Sequence, residues 1–412
     1  MPIESFDQKL QSYAEVIVQV GLNLQPGQRL MINAQVDSAP LVRAVAACAY
    51  RLGADYVELN YRDEQVDLQR FRHARRETFE LAPAFQAAAA LQHVQQGGAY
   101  LTITSEDPDL LKDQDPELVA LVQKVRRREL KPVSDMLARS EFNWCIAGYP
   151  SPAWARRVFP ALPEAQRIEQ LWQALFNVCR VDRPDPVAAW REQVENFNRR
   201  KAYLTGKQYH ALRLTAPGTD LTIGLAEGHR WMGGAIESTA GVSFIPNLPT
   251  EEVFTLPHRE RIHGMVTASK PLAYSGVLIE DFRLTFDEGR VSKVEARQGE
   301  QALRKIIATD AGAASLGEVA LVPHGSPVSS SGILFYNTLY DENAACHIAL
   351  GNGLNFCLDG GERLSPDEYH ARGGNDSLVH IDFMIGSSEM DIDGITRDDR
   401  REPVMRKGEW SF

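Results

Sequence analysis

The chain has 412 residues, 44% hydrophobic and 24% charged, a balance that supports two or three domain-sized cores and excludes disordered and fibrous classes. Its 44 Lys and Arg stand against 55 Asp and Glu, a net charge of −11, so the overall field repels polyanions and nucleic acid is a poor partner. No run approaches the roughly 18 unbroken apolar residues of a membrane span, and the first residues carry neither a basic leader nor an apolar stretch, which predicts a cytoplasmic chain with no membrane partner.

Two basic clusters, Arg70 to Arg76 and Lys124 to Lys131, lack interleaved aromatics and contain Glu77 and Glu129, so they read as solvated helix faces. The cysteines, Cys48, Cys145, Cys179, Cys346 and Cys357, form an odd, scattered set without a C-x-x-C pair. That pattern suits reduced thiols.

In chain order, Leu30 to Ala34 reads as a strand, Pro40 to Leu52 as a helix stopped by Gly53, and Ala54 to Tyr61 as a second strand. Strands follow at Ala99 to Thr104 and Phe142 to Ala147, with helices at Pro116 to Leu130 and Pro152 to Phe159. This β-α-β rhythm predicts a largely parallel sheet covered by helices. None of its turns carries G-x-G-x-x-G or a P-loop, so no nucleotide cofactor is expected there. Pro163 to Tyr203 reads as helical, interrupted at Arg183 to Pro186, with Trp172, Phe176, Trp190 and Phe197 as core residues.

From Ala211 the texture changes to strands punctuated by turns: Leu212 to Thr215, Leu221 to Gly224, Leu278 to Phe286 and Val291 to Ala296. A helix near Gln301 to Asp310 and strands at Val319 to Val322, Val379 to Ile385 and Met390 to Ile395 complete the chain. The expectation is an α/β protein: an N-terminal α/β domain over residues 1–200 and a C-terminal mixed α+β domain over 201–412.

Familiar catalytic motifs fail. His258 and His263 are five apart, whereas H-E-x-x-H stacks its imidazoles four apart on one helix face. Ser329 to Gly332 lacks the G-x-S-x-G frame of a nucleophile elbow. Four other segments carry chemistry. In a strand, period two puts His380 and Asp382 on one face, where an imidazole and a carboxylate suit Zn, Mn, Co or Fe, although such a pair alone is more often merely hydrogen-bonded. Glu251 and Glu252 open a strand-like run and face opposite ways. Glu318 stands where an apolar strand begins, and His347 lies among small and apolar residues, the usual setting of a ligating or a core imidazole.

Taken together, the runs Asn247 to Thr255, Gly317 to Val322, Asp341 to Gly351 and His380 to Gly386 resemble the signature of the thermophilic-type metal-dependent aminopeptidases, the aminopeptidase T and aminopeptidase S family. The tail Asp391 to Thr396 with Arg401 to Pro403 fits the same pattern, and segment order agrees over essentially the whole chain. The resemblance implies that Glu252, Glu318, His347, His380 and Asp382 bind two divalent metal ions of the Zn, Co, Mn or Mg kind, with Glu318 bridging. It further implies that Glu251 acts as general base and that peptide substrates lose N-terminal residues to a water activated by both metals. A homodimer is implied as well.

One departure stands out. Where the family reads Gly-x-Ala-Tyr-Pro, this chain has Gly351-Asn352-Gly353-Leu354-Asn355, so Leu354 replaces a phenol that would donate to the tetrahedral oxyanion. Losing such a donor costs about 2.7–4 kcal/mol of transition-state stabilisation. This predicts a slow or specialised enzyme, an inactive member of the family, or another donor in that role, with Tyr340 and His370 as candidates. A mononuclear iron oxygenase using His347, His380 and Asp382 is the rival from another reaction class, although it leaves Glu252 and Glu318 unexplained.

Overall fold

The structure is a computed structural model and describes residues 5–82, 84–274 and 277–412. It divides into two compact units, one of residues 1–194 with 235–249, the other of 195–234 with 250–412.

The first unit is built on a parallel sheet. Strands β1 (Arg29–Gln35), β2 (Tyr56–Arg62), β3 (Ala99–Thr104) and β4 (Trp144–Gly148) lie in the order β2-β1-β3-β4, and the two-residue strand Asn247–Leu248 adds to the β4 edge. All these pairings are parallel, as the alternation of strands and helices requires. Leu30, Met31 and Ile32 are all buried, because a central parallel strand is covered on both faces and reads as a continuous apolar run.

Two features depart from the sequence expectation. The helix predicted to end at Leu130 spans Pro116–Ala138, through Pro132. A proline there removes one backbone donor and crowds the preceding turn. Burial of Val133 among Met31, Ala90, Val94 and Phe142 offsets that cost. An unassigned helix, Phe6–Val16, opens the unit on a capping box between Ser5 and Gln8.

The second unit holds two antiparallel sheets. The larger has nine strands and is centred on the hairpin of Ala211–Ala216 and Thr219–Leu225, flanked by Pro257–Thr267 on one side and Asp391–Ile395 on the other. His258 and His263 therefore lie on a strand, in keeping with the absence of a zincin helix. The smaller sheet has four strands in chain order: β5 (Val253–Thr255), β6 (Leu316–Leu321), β7 (His347–Gly351) and β8 (His380–Met384).

Both sheets contribute to one core, Leu212, Leu214, Ile223 and Phe282 from the larger, Val253, Val319, Ile348 and Phe383 from the smaller. β7 escapes period-two reading because all five of its residues are buried. Among the described residues no helix is long and apolar enough to cross a membrane.

Candidate metal centre

The smaller sheet keeps one face for the core and leaves the other for charged groups. Directly opposed residues of antiparallel strands share a face, and the register sets Phe254 opposite Ala320, Ala320 opposite His347, Glu318 opposite Ala349, Ala349 opposite Asp382, and Gly351 opposite His380. His347, Glu318, His380 and Asp382 thus project from one face of three adjacent strands, and Glu252 precedes β5 two residues before Phe254.

A bulge supplies the parity. Between Leu316 and Glu318 the β6 strand advances two residues while β7 advances one, from Leu350 to Ala349. Leu316 can then remain in the core while Glu318 turns to the opposite face. The extra residue is Gly317, where a Cβ would stand 2.2 Å from the Asn352 carbonyl oxygen. The floor between the ligand candidates carries only Ala349, Ala320 and Gly351, so little side-chain volume competes for the space above it. Gly351 has φ +104°, a conformation that L side chains rarely adopt.

The donor atoms form two groups that share Glu318. Nε2 of His347 lies 3.2 Å from Oε2 of Glu252 and 3.5 Å from Oε1 of Glu318. Nε2 of His380 lies 3.4 Å from Oε2 of Glu318 and 3.4 Å from Oδ1 of Asp382. Within each group the donor atoms lie within 4.8 Å of one another. Bonds of about 2.1 Å in a tetrahedral arrangement separate neighbouring donors by about 3.4 Å, so the observed spacing fits a metal ion in each group.

Both imidazoles are oriented for the task. Nδ1 of His380 lies 2.7 Å from the Asn352 carbonyl oxygen, and Nδ1 of His347 lies 3.3 Å from that of Ala345. A proton held on each Nδ1 leaves an Nε2 lone pair facing the carboxylates. Oε2 of Glu252 and Oδ1 of Asp382 are buried without a hydrogen-bond partner, as atoms reserved for a cation would be.

Electrostatics give the same account. Burial opposes protonation of His347, yet Glu252 and Glu318 hold its ring well above the ordinary histidine range; against the same effect Asp382 and Glu318 push His380 up to about 11. Burial raises the Glu252 carboxyl, with further repulsion from Glu318 and Asp382. Burial also works to raise Asp382, but His380 and His347 hold it below its usual value. So much negative charge in a desolvated space is tolerated only with protons or cations to neutralise it.

The sequence reading did not single out Glu342. It sits on the short helical turn Glu342–Ala344, and burial followed by repulsion from Glu252 and Asp382 raises its carboxyl well above the usual range. The available signal was its place in the Asp341 to Gly351 run, but a turn residue has no strand parity to reveal its direction.

Glu251 is 1% exposed, its backbone N–H donates to Oδ1 of Asn343 at 2.7 Å, and it belongs to neither donor group. Tyr340 is fully buried and stacks on Phe335. His370 lines a cavity of about 480 Å3 with Arg259, Asp310 and Asn375. Leu354, like Phe254, Phe356 and Met232, packs against an apolar cluster of Leu256, Cys357, Leu358 and Tyr369. Phe254 links this cluster to the donor face.

Residues 6–410 match the family described as thermophilic metalloprotease (M29). The chain is 46% identical to Aminopeptidase 2 of Geobacillus stearothermophilus, over 99% of this chain and 98% of that protein. It is 43% identical to Aminopeptidase T of Thermus thermophilus, over 99% of this chain and 100% of that one. The solved structure of wild-type AmpT from Thermus thermophilus superposes with a TM-score of 0.92 at 42% identity, covering 99% of this chain and 100% of that one.

Proposed function

The chain belongs to the thermophilic metalloprotease (M29) family, and from that premise we propose that it is an aminopeptidase acting at the cluster of Glu252, Glu318, His347, His380 and Asp382. The observation that carries this reading is the pair of donor groups sharing the two oxygens of Glu318. Glu252, His347 and one Glu318 oxygen would hold one ion, while His380, Asp382 and the other oxygen would hold a second. Divalent ions of the Zn, Co, Mn or Mg kind supply Lewis acidity toward a peptide carbonyl and toward water.

The protein's own groups do the rest. The Asn352 and Ala345 carbonyls fix the imidazole tautomers. Glu251 accepts a proton from the attacking water and delivers it to the departing amine. Glu342 is the rival for that role, since its carboxyl interacts electrostatically with Glu252, Asp382 and Glu318. The apolar cluster around Phe254 and Leu354 would receive the first side chain of the peptide substrate. The iron-oxygenase alternative leaves Glu252 and Glu318 without a task, and nothing in the family or its relatives supports it or an inactive protein.

The buried thiols of Cys48, Cys145, Cys346 and Cys357 form no disulfide, which suits a reducing cytoplasm, and a homodimer remains part of the proposal. Metal analysis beside a panel of short peptides tests the reading. The expected result is two divalent ions per chain and release of free N-terminal amino acids, with N-acetylated peptides left intact and chelation abolishing turnover. One ion per chain, or cleavage of the blocked peptides, would overturn it.

A further inference from the structure

Apart from the metal cluster, the second unit contains a cavity of about 910 Å3 lined by His210, His229, His258, Arg261, Arg372 and Arg397. Its wall is made by an irregularity in the larger sheet. Pairing of the strands Thr219–Leu225 and Pro257–Thr267 joins Leu225 to Pro257 and next Ile223 to Ile262, so residues 258–261 stand against Gly224 alone. Such bulges re-aim side chains. Here the displaced residues include both His258 and Arg261. A Cβ on Gly224 would lie 2.5 Å from Cβ of Arg261, and one on Gly373, at φ +94°, would lie 2.4 Å from Cδ2 of His258, so two glycines make room for the arrangement.

Arg261 is a cation with no carboxylate within 4.0 Å among the described residues. Its Nη1 lies 2.9 Å from Nε2 of His210, Nη2 donates to the Leu225 carbonyl, and the buried Nε donor has no partner. The acidic groups on the lining face other cations: Glu227 pairs with Arg397 at 2.7 Å, and Asp359 lies 3.7 Å from Arg230. His258 accepts the Glu260 backbone N–H on Nδ1, which leaves Nε2–H as a donor. His229 is 2% exposed and has the opposite polarity. Its Nδ1 lies 2.9 Å from the Ala226 carbonyl oxygen and therefore carries the proton, so the buried Nε2 presents a lone pair with nothing bound to it. Burial pushes this imidazole down to about 4, which keeps it neutral near pH 7.

We propose that this cavity is a second ligand site, for a small molecule bearing an oxyanion next to an N–H or O–H donor. The guanidinium of Arg261 and Nε2–H of His258 take the oxyanion, and Nε2 of His229 accepts the neighbouring proton. An α-amino acid and monohydrogen phosphate both have this chemistry, whereas acetate has the oxyanion alone.

Calorimetric titration of the metal-loaded protein with L-alanine, inorganic phosphate and acetate separates the possibilities. Alanine or phosphate is expected to bind at least tenfold more tightly than acetate, and which of them does identifies the source. Arg261→Gln should weaken that binding at least tenfold, while His229→Phe should remove the advantage over acetate. Retained metal content and thermal midpoint show that each variant is folded, and Arg372→Ala, at an exposed position, provides a second test by weakening binding. Equal binding of all three probes, no binding of any, or binding unaffected by Arg261→Gln would overturn the proposal, the last by assigning the ligand to the metal cluster.

Discussion

Two sheets of the molecule, the parallel sheet built on β1 to β4 and the antiparallel sheet of β5 to β8, have opposite relations to charge. In the first, β1 is enclosed on both faces and buries Leu30, Met31 and Ile32. In the second, Val319, Ile348 and Phe383 fill the core while alternate residues of the same strands carry Glu318, His347, His380 and Asp382. Of the two groups of metal-type donors found among the described residues, all members but Glu252 lie on this second sheet, and Glu252 immediately precedes β5. A strand covered by apolar groups on both faces cannot accommodate ionised groups, whereas a sheet with only one face in the core can concentrate them on the other, where they neutralise one another or a cation, on a rigid floor.

The contrast can be broken most severely at Glu318. Glu318→Gln keeps the size of the side chain but replaces a shared oxygen by an amide NH2 that cannot ligate. Peptide hydrolysis should fall on the order of a thousandfold, equivalent to several kcal/mol of transition-state stabilisation. Metal content should drop below that of the parent protein, measured by elemental analysis beside the rate assay. A variant with full metal content and full rate would remove Glu318 from the site.

Ile32→Ala in β1 makes the converse test. The residue is fully buried, and its truncation should cost about 2–5 kcal/mol of stability in denaturant unfolding. Bound metal and turnover per folded molecule should be unchanged, because no donor lies on that strand. A parallel loss of metal would show that the two sheets are not independent in the way their compositions imply.

A smaller effect is expected at Leu354. Leu354→Tyr introduces a phenol against the same apolar cluster without replacing any donor, and kcat should rise about tenfold, part of the 2.7–4 kcal/mol that an oxyanion donor can supply. Metal content should stay as it was. An unchanged kcat would mean that another group already donates to the oxyanion.

Much of the site was legible because it obeys strand parity. His380 and Asp382 share a face by period two alone, and the parallel sheet follows from alternating strands and helices. The rest depended on features without a local signal. Glu318 faces the donors because Gly317 inserts a bulge, and a bulge is visible only against the partner strand. Glu342 lies on a turn where neither helical nor strand periodicity applies. The helix expected to stop at Leu130 runs on through Pro132 to Ala138, carried by burial of Val133. The cationic cavity stayed hidden for a similar reason, since His210, His229, His258 and Arg261 are scattered in sequence and meet only through a second irregularity.

By itself the sequence determined which segments become strands, which residues are chemically able to hold a cation, and the family resemblance of the whole chain. Tertiary structure decided that Glu318 offers one oxygen to each histidine, that Ala349 and Gly351 leave space between them, and that Arg261 lines a cavity with its buried Nε donor unpartnered. The physical reason is range. Propensity and periodicity act over a few neighbouring residues, whereas ligand geometry is fixed by hydrogen-bond register between strands tens of residues apart.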